Sequence, residues 1–428
     1  MKYKIFIIVL LCVYLLSCGQ KADTEIVFWH ALGGPLGDAL NEMIYDFNRE
    51  HPDISIKAIS MGNYQALSQK LMASIQAGNQ PDIAQVFESW TANLVQGDVL
   101  VALDDFIQGE GEEFLDDFFP VFINSNMLDG QIWSFPFNKS VRVMYYNKDI
   151  FYRNGLDYNA PPKTWDEFLE MCKLFTIDRS GDGRIDQWGT TFHTDMWRFE
   201  NLLVQAGGHL MNEENTIPLF NSPEGIEALN FFDRLLNVDK SAYTSAGHDG
   251  QNHFLAESVA FVEGSSVSYI YMRNAQIYFN LGIAAVPSFR TERNIISGTN
   301  IAIFDKGNDE KARAAWEFIK WFTEPKQTAK FSALTYYMPV RRSAFEQPHI
   351  QQMLIQHPGL AEVYRQLEFA EFEPQIPEWF EFRRNFEEIV LERVYNRIIS
   401  PEDALSQAGQ RLSGEINRNN RSGDVAAP

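Results

Sequence analysis

This sequence predicts an α/β protein in two lobes. Three observations carry that expectation. Strand-like and helix-like runs alternate from about residue 25 onward, and 45% of the 428 residues are hydrophobic. The chain is also well beyond the ~250–300 residues at which one hydrophobic core usually stops growing and divides.

The elements follow in chain order. Glu25 to Trp29 (EIVFW) has the composition of a strand, and Gly33-Gly34-Pro35 turns the chain out of it. A helix from Leu36 to Glu50 places Leu40, Ile44 and Phe47 on one face. Asp53 to Ile59 alternates as a strand, Tyr64 to Gln76 has a helical pattern, and Gly78 and Pro81 stop it before a strand at Asp82 to Phe87. A β-α-β-α-β order implies an open, mostly parallel sheet, whose ligands bind in loops at the carboxyl ends of the strands. Ser134 to Phe137 and Val143 to Tyr146 are strand-like runs around the polar Asn138-Lys139-Ser140. Thr164 and Glu167 have the spacing of a capping box. Later helices are expected at Pro223 to Leu236, Glu310 to Phe322 and Glu378 to Arg397, with Trp316 and Trp321 as packing residues of the second. Asn417 to Pro428 lacks apolar periodicity and is expected to be a disordered tail.

The N-terminus has the layout of an export signal over residues 1–17. Basic Lys2 and Lys4 precede the apolar run Ile5 to Leu16, which is shorter than the ~20 residues that span a bilayer. The run ends in Leu15-Leu16-Ser17-Cys18-Gly19. This resembles a bacterial lipobox, which implies acylation at Cys18, residues 18–24 as a lipidated N-terminus and tether, and an extracytoplasmic protein anchored to a bacterial membrane. Loss of Lys2 and Lys4 moves the formal charge from −21 to −23. So acidic a chain repels nucleic acid, which excludes that class of partner. Cys172 would be the sole remaining thiol, so no internal disulfide forms; a monomer is expected.

Signatures of catalysis are scarce. No G-x-S-x-G, H-E-x-x-H, Walker loop or Cys-x-x-Cys occurs. Gly33 to Gly37 follows a strand and opens a helix, yet its spacing is that of a tight βα turn. Among 57 Asp and Glu no spacing singles out an acid pair for glycoside hydrolysis, which leaves a secreted hydrolase as the remote alternative. No cofactor is required. Asp178, Ser180, Asp182, Arg184 (through its carbonyl) and Asp186 place oxygens at alternate positions around Gly183, as a structural calcium loop would. Gly189 stands where such a loop carries a bidentate Glu, so a metal-free Asp/Gly turn is the other reading. Trp197, after the polar His193 to Met196, is a candidate stacking surface for a polar ligand.

Phe28-Trp29-His30, Phe47-Asn48, Gly62-Asn63-Tyr64, Ala77-Gly78-Asn79, Pro81 to Glu88 (PDIAQVFE), Phe135 to Asn138 (FPFN) and Met144 to Asp149 (MYYNKD) occur in a telling order. Together with Asp182-Gly183 and Trp188-Gly189 they resemble family 1 extracellular solute-binding proteins of ABC importers, from Glu25 to about Ile416. Within that family, Gln85 to Glu88, Asn138 to Ser140, Ser265-Ser266, Ile295 to Gly298, Tyr337-Met338-Pro339 and Arg384 are similar to the glycerol-3-phosphate-binding group. The resemblance implies a periplasmic-binding-protein-like fold with a ligand cleft between the lobes. It also implies a binding protein, not an enzyme, working with a membrane permease. Residues 25–137 with 298–338 would form lobe 1, and 138–297 with 339–416 lobe 2. Tyr64, Glu88, Ser140, Ser265, Gly298, Tyr337 and Arg384 would line a small polar solute, glycerol-3-phosphate or a glycerophosphodiester. A neutral sugar or oligosaccharide is the alternative. The sequence departs from the group at Lys139, Arg142, Tyr336 and Arg383, which either tightens phosphate binding or marks a different ligand. A one-residue gap would exchange Arg383 for Arg384.

Overall fold

The computed structural model describes residues 24–425; Cys18 and the export-signal layout lie outside the described residues. Counting strands of four or more residues, the first sheet contains β1 (Thr24–His30), β2 (Ile54–Ser60), β3 (Ile83–Val86), β4 (Phe135–Ser140) and β10 (Ser297–Ile303). Their order is β2-β1-β3-β10-β4. β1 runs parallel to β2 and β3, whereas β10 is antiparallel to β3 and β4. The second sheet contains β5 (Arg142–Asn147), β6 (Trp188–His193), β7 (Ala242–Ser245), β8 (Val259–Ser265) and β9 (Leu281–Ala285), in the order β9-β5-β8-β6-β7. Two lobes of mixed helix and sheet result, as expected.

Local sequence explains the elements that frame the cleft. Helix α1 (Gly34–Glu50) has Pro35 in its first turn and buries Leu36, Leu40, Met43, Ile44 and Phe47 as one stripe. Helix α2 (Tyr64–Gln76) is capped by Asn63, whose side chain accepts from Ala66 N at 2.9 Å. Strand β3 is buried at all four residues, as the centre of a sheet covered on both faces should be, and it leads into α3 (Glu88–Gln96). In the second lobe, α4 (Trp165–Phe175) starts with the expected Thr164/Glu167 capping box. Helix α5 (Met196–Gln205) is buried along its entire length. Among the described residues, no helix is long and apolar enough to cross a membrane.

The chain changes sheets through very short connections. Only Val141, fully buried, separates β4 from β5. On the return, Asn294–Ile295 pairs in parallel with Ala370–Glu371, and Ile296 alone precedes β10. Strand β4 lies in the first sheet through Ser140, so residues 138–140 sit on that side of the crossing and not in the second lobe, where they were expected. The short turn Arg342–Glu346 and the helix Pro348–Gln356 pack on α7 (Pro325–Thr335), the helix that follows α6 (Asp309–Phe322). Residues just past 338 therefore also stay beside the first lobe. Helix Leu360–Arg365 packs on β9 of the second.

One expected helix holds with a local change of winding, and one expectation is corrected. The run expected as a helix from Glu378 to Arg397 is helical without a break from Trp379 to Tyr395, as α8 (Trp379–Phe386), a wider-wound stretch at Glu387–Leu391 and a last turn at Glu392–Tyr395. The tail from Asn417 is not disordered over its described part, because α9 (Pro401–Val425) runs through it. Ala404, Leu405, Ala408, Leu412 and Ile416 are buried and nucleate that helix, and adding polar turns to an existing helix requires no new nucleus. Asn419 donates to Glu378 Oε1 at 2.6 Å.

Candidate functional site

The first wall of the cleft is built where β3, β4 and β10 meet the starts of α2 and α3. Gln85 on β3 donates from one nitrogen to Asn138 Oδ1 (3.0 Å) and Thr299 Oγ1 (2.9 Å), and its oxygen accepts from Ala31 N. Thr299 also hydrogen-bonds Asn138, and Asn138 Nδ2 donates to the Tyr64 hydroxyl at 3.1 Å. Gln85, Asn138 and Thr299 come from three adjacent strands and are fully buried. Such a network fixes the Tyr64 ring that it supports, because each buried polar group finds a partner. The Tyr64 hydroxyl neighbours that of Tyr337, and burial raises the pKa of both, Tyr337 far above the usual tyrosine value. Both phenols therefore remain protonated.

Beside them lies an ion pair. Lys139 Nζ is 2.6 Å from Glu88 Oε1, with side-chain exposures of 0% and 9%. Asn300 Nδ2 also donates to Glu88 Oε1 at 3.3 Å. Glu88 opens α3, where the helix dipole favours a negative charge. Lys139 is paired in register with Gly298 on β10. Gly298 has φ +111°, and a Cβ there would lie 2.0 Å from the carbonyl oxygen of Asn138. The close strand approach therefore requires glycine. Ser140 ends β4, buried, opposite Ser297.

The second wall is dominated by arginines. Asp195 caps α5 by accepting from Arg198 N (3.0 Å), and both of its oxygens accept from Arg142 Nη1 at 3.1–3.2 Å. Glu263 faces Arg142 Nε at 3.6 Å and Arg198 Nε at 3.3 Å. Arg142 lies over the Trp197 ring and Arg198 over Phe192. Burial works against the charge on Asp195, but Arg142, Arg198 and Arg383 outweigh it and hold the carboxyl below its ordinary pKa. These residues, with Ser265 and Arg383, line a cavity of about 320 Å3. Trp197 Nε1 donates to Ile295 O at 2.7 Å, which ties this wall to the return crossing. Glu373 pairs with Arg383 at 3.0 Å and lies within electrostatic reach of the Lys139–Glu88 pair. Arg383 is therefore the cation between the two walls. Glu200 is fully buried nearby with neither oxygen hydrogen-bonded; burial, then Glu373, pushes its carboxyl well above the usual range.

The residues singled out from sequence thus fall into separate groups. Tyr64, Glu88, Ser140, Gly298 and Tyr337 lie on the first wall. Trp197 and Ser265 lie on the second, and the Ser265 carbonyl accepts from Tyr145 OH at 2.8 Å. Arg384 joins neither. It is half exposed and paired with Glu381 one turn earlier at 2.7 Å, because one residue along α8 rotates a side chain by about 100°. Residues that sequence reasoning did not place here are Arg198, Glu200, Glu263, Glu373 and Tyr271. Tyr271, half exposed on the short helix Ser268–Asn274 of the second lobe, acts electrostatically on both Tyr64 and Tyr337. The signal for Lys139, Arg142 and Arg383 was their departure from the resembled pattern.

The Asp178–Asp186 loop is held by its own backbone. Asp178 accepts from Gly181 N (2.6 Å) and Gly183 N (2.8 Å), Asp182 from Arg184 N (2.8 Å), and Asp186 from Arg179 N (2.7 Å). Ser180 Oγ donates to Asp178 at 3.2 Å. Among the described residues no group of three or more His, Cys, Asp or Glu converges as metal ligands do.

Residues 42–357 match the family described as bacterial extracellular solute-binding protein. The chain is similar to the sn-glycerol-3-phosphate-binding periplasmic protein UgpB of Pectobacterium atrosepticum, 26% identical over 362 residues covering 82% of this chain and 81% of that protein. A solved cyclic alpha-maltosyl-1,6-maltose binding protein from Arthrobacter globiformis superposes with a TM-score of 0.79 at 25% identity, covering 92% and 99% of the two chains. UgpB from Mycobacterium tuberculosis, solved with glycerophosphocholine, gives a TM-score of 0.80 at 23% identity, covering 92% and 99%.

Proposed function

The chain belongs to the bacterial extracellular solute-binding protein family, and on that premise we propose that it captures glycerol-3-phosphate or a glycerophosphodiester and presents it to an ABC importer. The observation that carries this reading is the position of Arg383, a partly buried guanidinium between the two walls in an otherwise acidic chain. A phosphate repelled by the global charge needs such a local cation, and a guanidinium offers paired N–H groups in the right fork. Glu88 supplies an acceptor for glycerol hydroxyls, the protonated Tyr64 and Tyr337 supply donors, and Ser140, Ser265 and the backbone at Gly298 add neutral contacts. Trp197 backs the second wall. Solute contacts to both walls favour the closed arrangement by their differential affinity for it. A lipid on Cys18 would keep the monomer at a bacterial membrane beside its permease.

Titration calorimetry with glycerol-3-phosphate tests the reading. Arg383→Ala should weaken binding tenfold or more, each tenfold being about 1.4 kcal/mol, while Arg384→Ala should leave it within about twofold. A second reading, a neutral sugar, is favoured by the carboxylate–guanidinium pairs of the second wall and by the maltosyl-maltose-binding relative in fold. If the protein ignores every glycerol phosphate and binds a maltose-like sugar, the phosphate reading falls and solute capture stands.

A further inference from the structure

The 320 Å3 cavity is lined by second-lobe residues and Arg383, and none of Tyr64, Glu88, Lys139 or Tyr337 lines it. At ~30 Å3 per water it has room for roughly ten waters, about the size of one ring-shaped polyol. Its lining is charged but internally balanced, since Asp195 is forked by Arg142 and Glu263 faces both Arg142 and Arg198. Donors are in excess, however. Arg198 Nη1 and Ser245 Oγ are buried without a hydrogen-bond partner, and Arg142 Nε has only Glu263 at 3.6 Å. Buried donors left unmatched cost free energy, and they call for oxygen acceptors on whatever fills the space.

That chemistry selects among solutes. A cationic head group would meet three guanidiniums, Arg142, Arg198 and Arg383, and would bring no acceptor to the unmatched donors. A second anion would meet Asp195 and Glu263. A neutral, hydroxyl-rich ring offers oxygens to the arginines and Ser245 and hydroxyl protons to the two carboxylates. We infer that the second-lobe cavity is a subsite for the polyhydroxylated head group of a glycerophosphodiester, on the far side of its phosphate. The inference rests on the glycerol-phosphate reading above, and it makes the solute a diester of a polyol rather than of an amino alcohol.

Calorimetry on the full mature protein with glycerophosphoinositol, glycerophosphocholine and glycerol-3-phosphate separates the two levels. Glycerophosphoinositol should bind at least tenfold more tightly than either of the others. Arg198→Ala would leave Glu263 with Arg142 alone and risks misfolding, so the informative variant is Ser245→Ala, which should reduce the advantage of glycerophosphoinositol over glycerol-3-phosphate severalfold. Glycerol-3-phosphate binding with glycerophosphocholine equal to or tighter than glycerophosphoinositol overturns the subsite and leaves the phosphate reading intact. Binding of none of the three overturns both.

Discussion

Consider replacing Lys139 by methionine, which is unbranched and one atom shorter and removes the charge. Glu88 would then retain the hydrogen bond from Asn300 Nδ2. Two unit charges 2.6 Å apart attract by about 6 kcal/mol at an effective dielectric of ~20. Desolvation offsets much of that in the intact pair, yet removing one partner leaves the other charge stranded, and such losses run about 3–5 kcal/mol. Lys139→Met should therefore lower unfolding free energy in urea by about 3–5 kcal/mol. Glu88→Gln should be costly too, since it leaves a fully buried ammonium. The double variant should recover at least about 2 kcal/mol relative to the sum of the single losses, because no unpaired charge remains. Additive losses in the double variant would refute the argument and mean that the two charges are solvated independently.

Gly298→Ala should destabilise the protein by about 2–5 kcal/mol, combining overpacking against Asn138 O with the strain of a positive φ; urea melts would check it. Glu200 keeps its proton to higher pH in the folded than in the unfolded chain, so its contribution is full below about pH 4.3 and is lost as pH rises toward its raised folded value. Glu200→Gln should therefore stabilise the protein at pH 7–8 relative to wild type, with the difference shrinking toward pH 4, as thermal melts across that range would show. Asp178→Ala should destabilise the loop at 178–186, read as faster amide exchange at Gly181 and Gly183, whose N–H groups it accepts.

Much of the first lobe was legible because its signals are local. The stripe Leu40, Ile44, Phe47 and the strand run at β3 each specify an element without reference to distant residues, as the Thr164/Glu167 capping box does in the second lobe. The C-terminal helix was missed because its last turns have no apolar face of their own and continue from Ile416. The cleft residues divide the same way. Tyr64 and Tyr337 were placed by resemblance, and the structure brings their hydroxyls together. Arg384 was misplaced since neighbouring residues on a helix face different directions, and only the burial of Phe382 and Phe386 sets the phase of α8. Lys139 is a fully buried lysine, and what permits its burial is a carboxylate 51 residues earlier in the chain. No periodicity within β4 carries that information.

The crossing at Val141 has a mechanical consequence. One buried residue, whose carbonyl accepts from Ser266 N at 3.0 Å, joins the edge strand of one sheet to an inner strand of the other. The second link, Ile296, is equally short and is held by Glu371 O at 2.8 Å. With the third connection, residues 357–359, also short, a fulcrum this narrow leaves no slack for the lobes to slide past one another, so any relative motion must be rotation about a line near these links. Displacement then grows with distance from that line. A pair of fluorophores placed on the remote rims, on α1 and on α4, would act as a long lever reporting a small turn at the pivot. Lengthening any of these links by a few glycines should blur that reading without touching a single residue of the cleft.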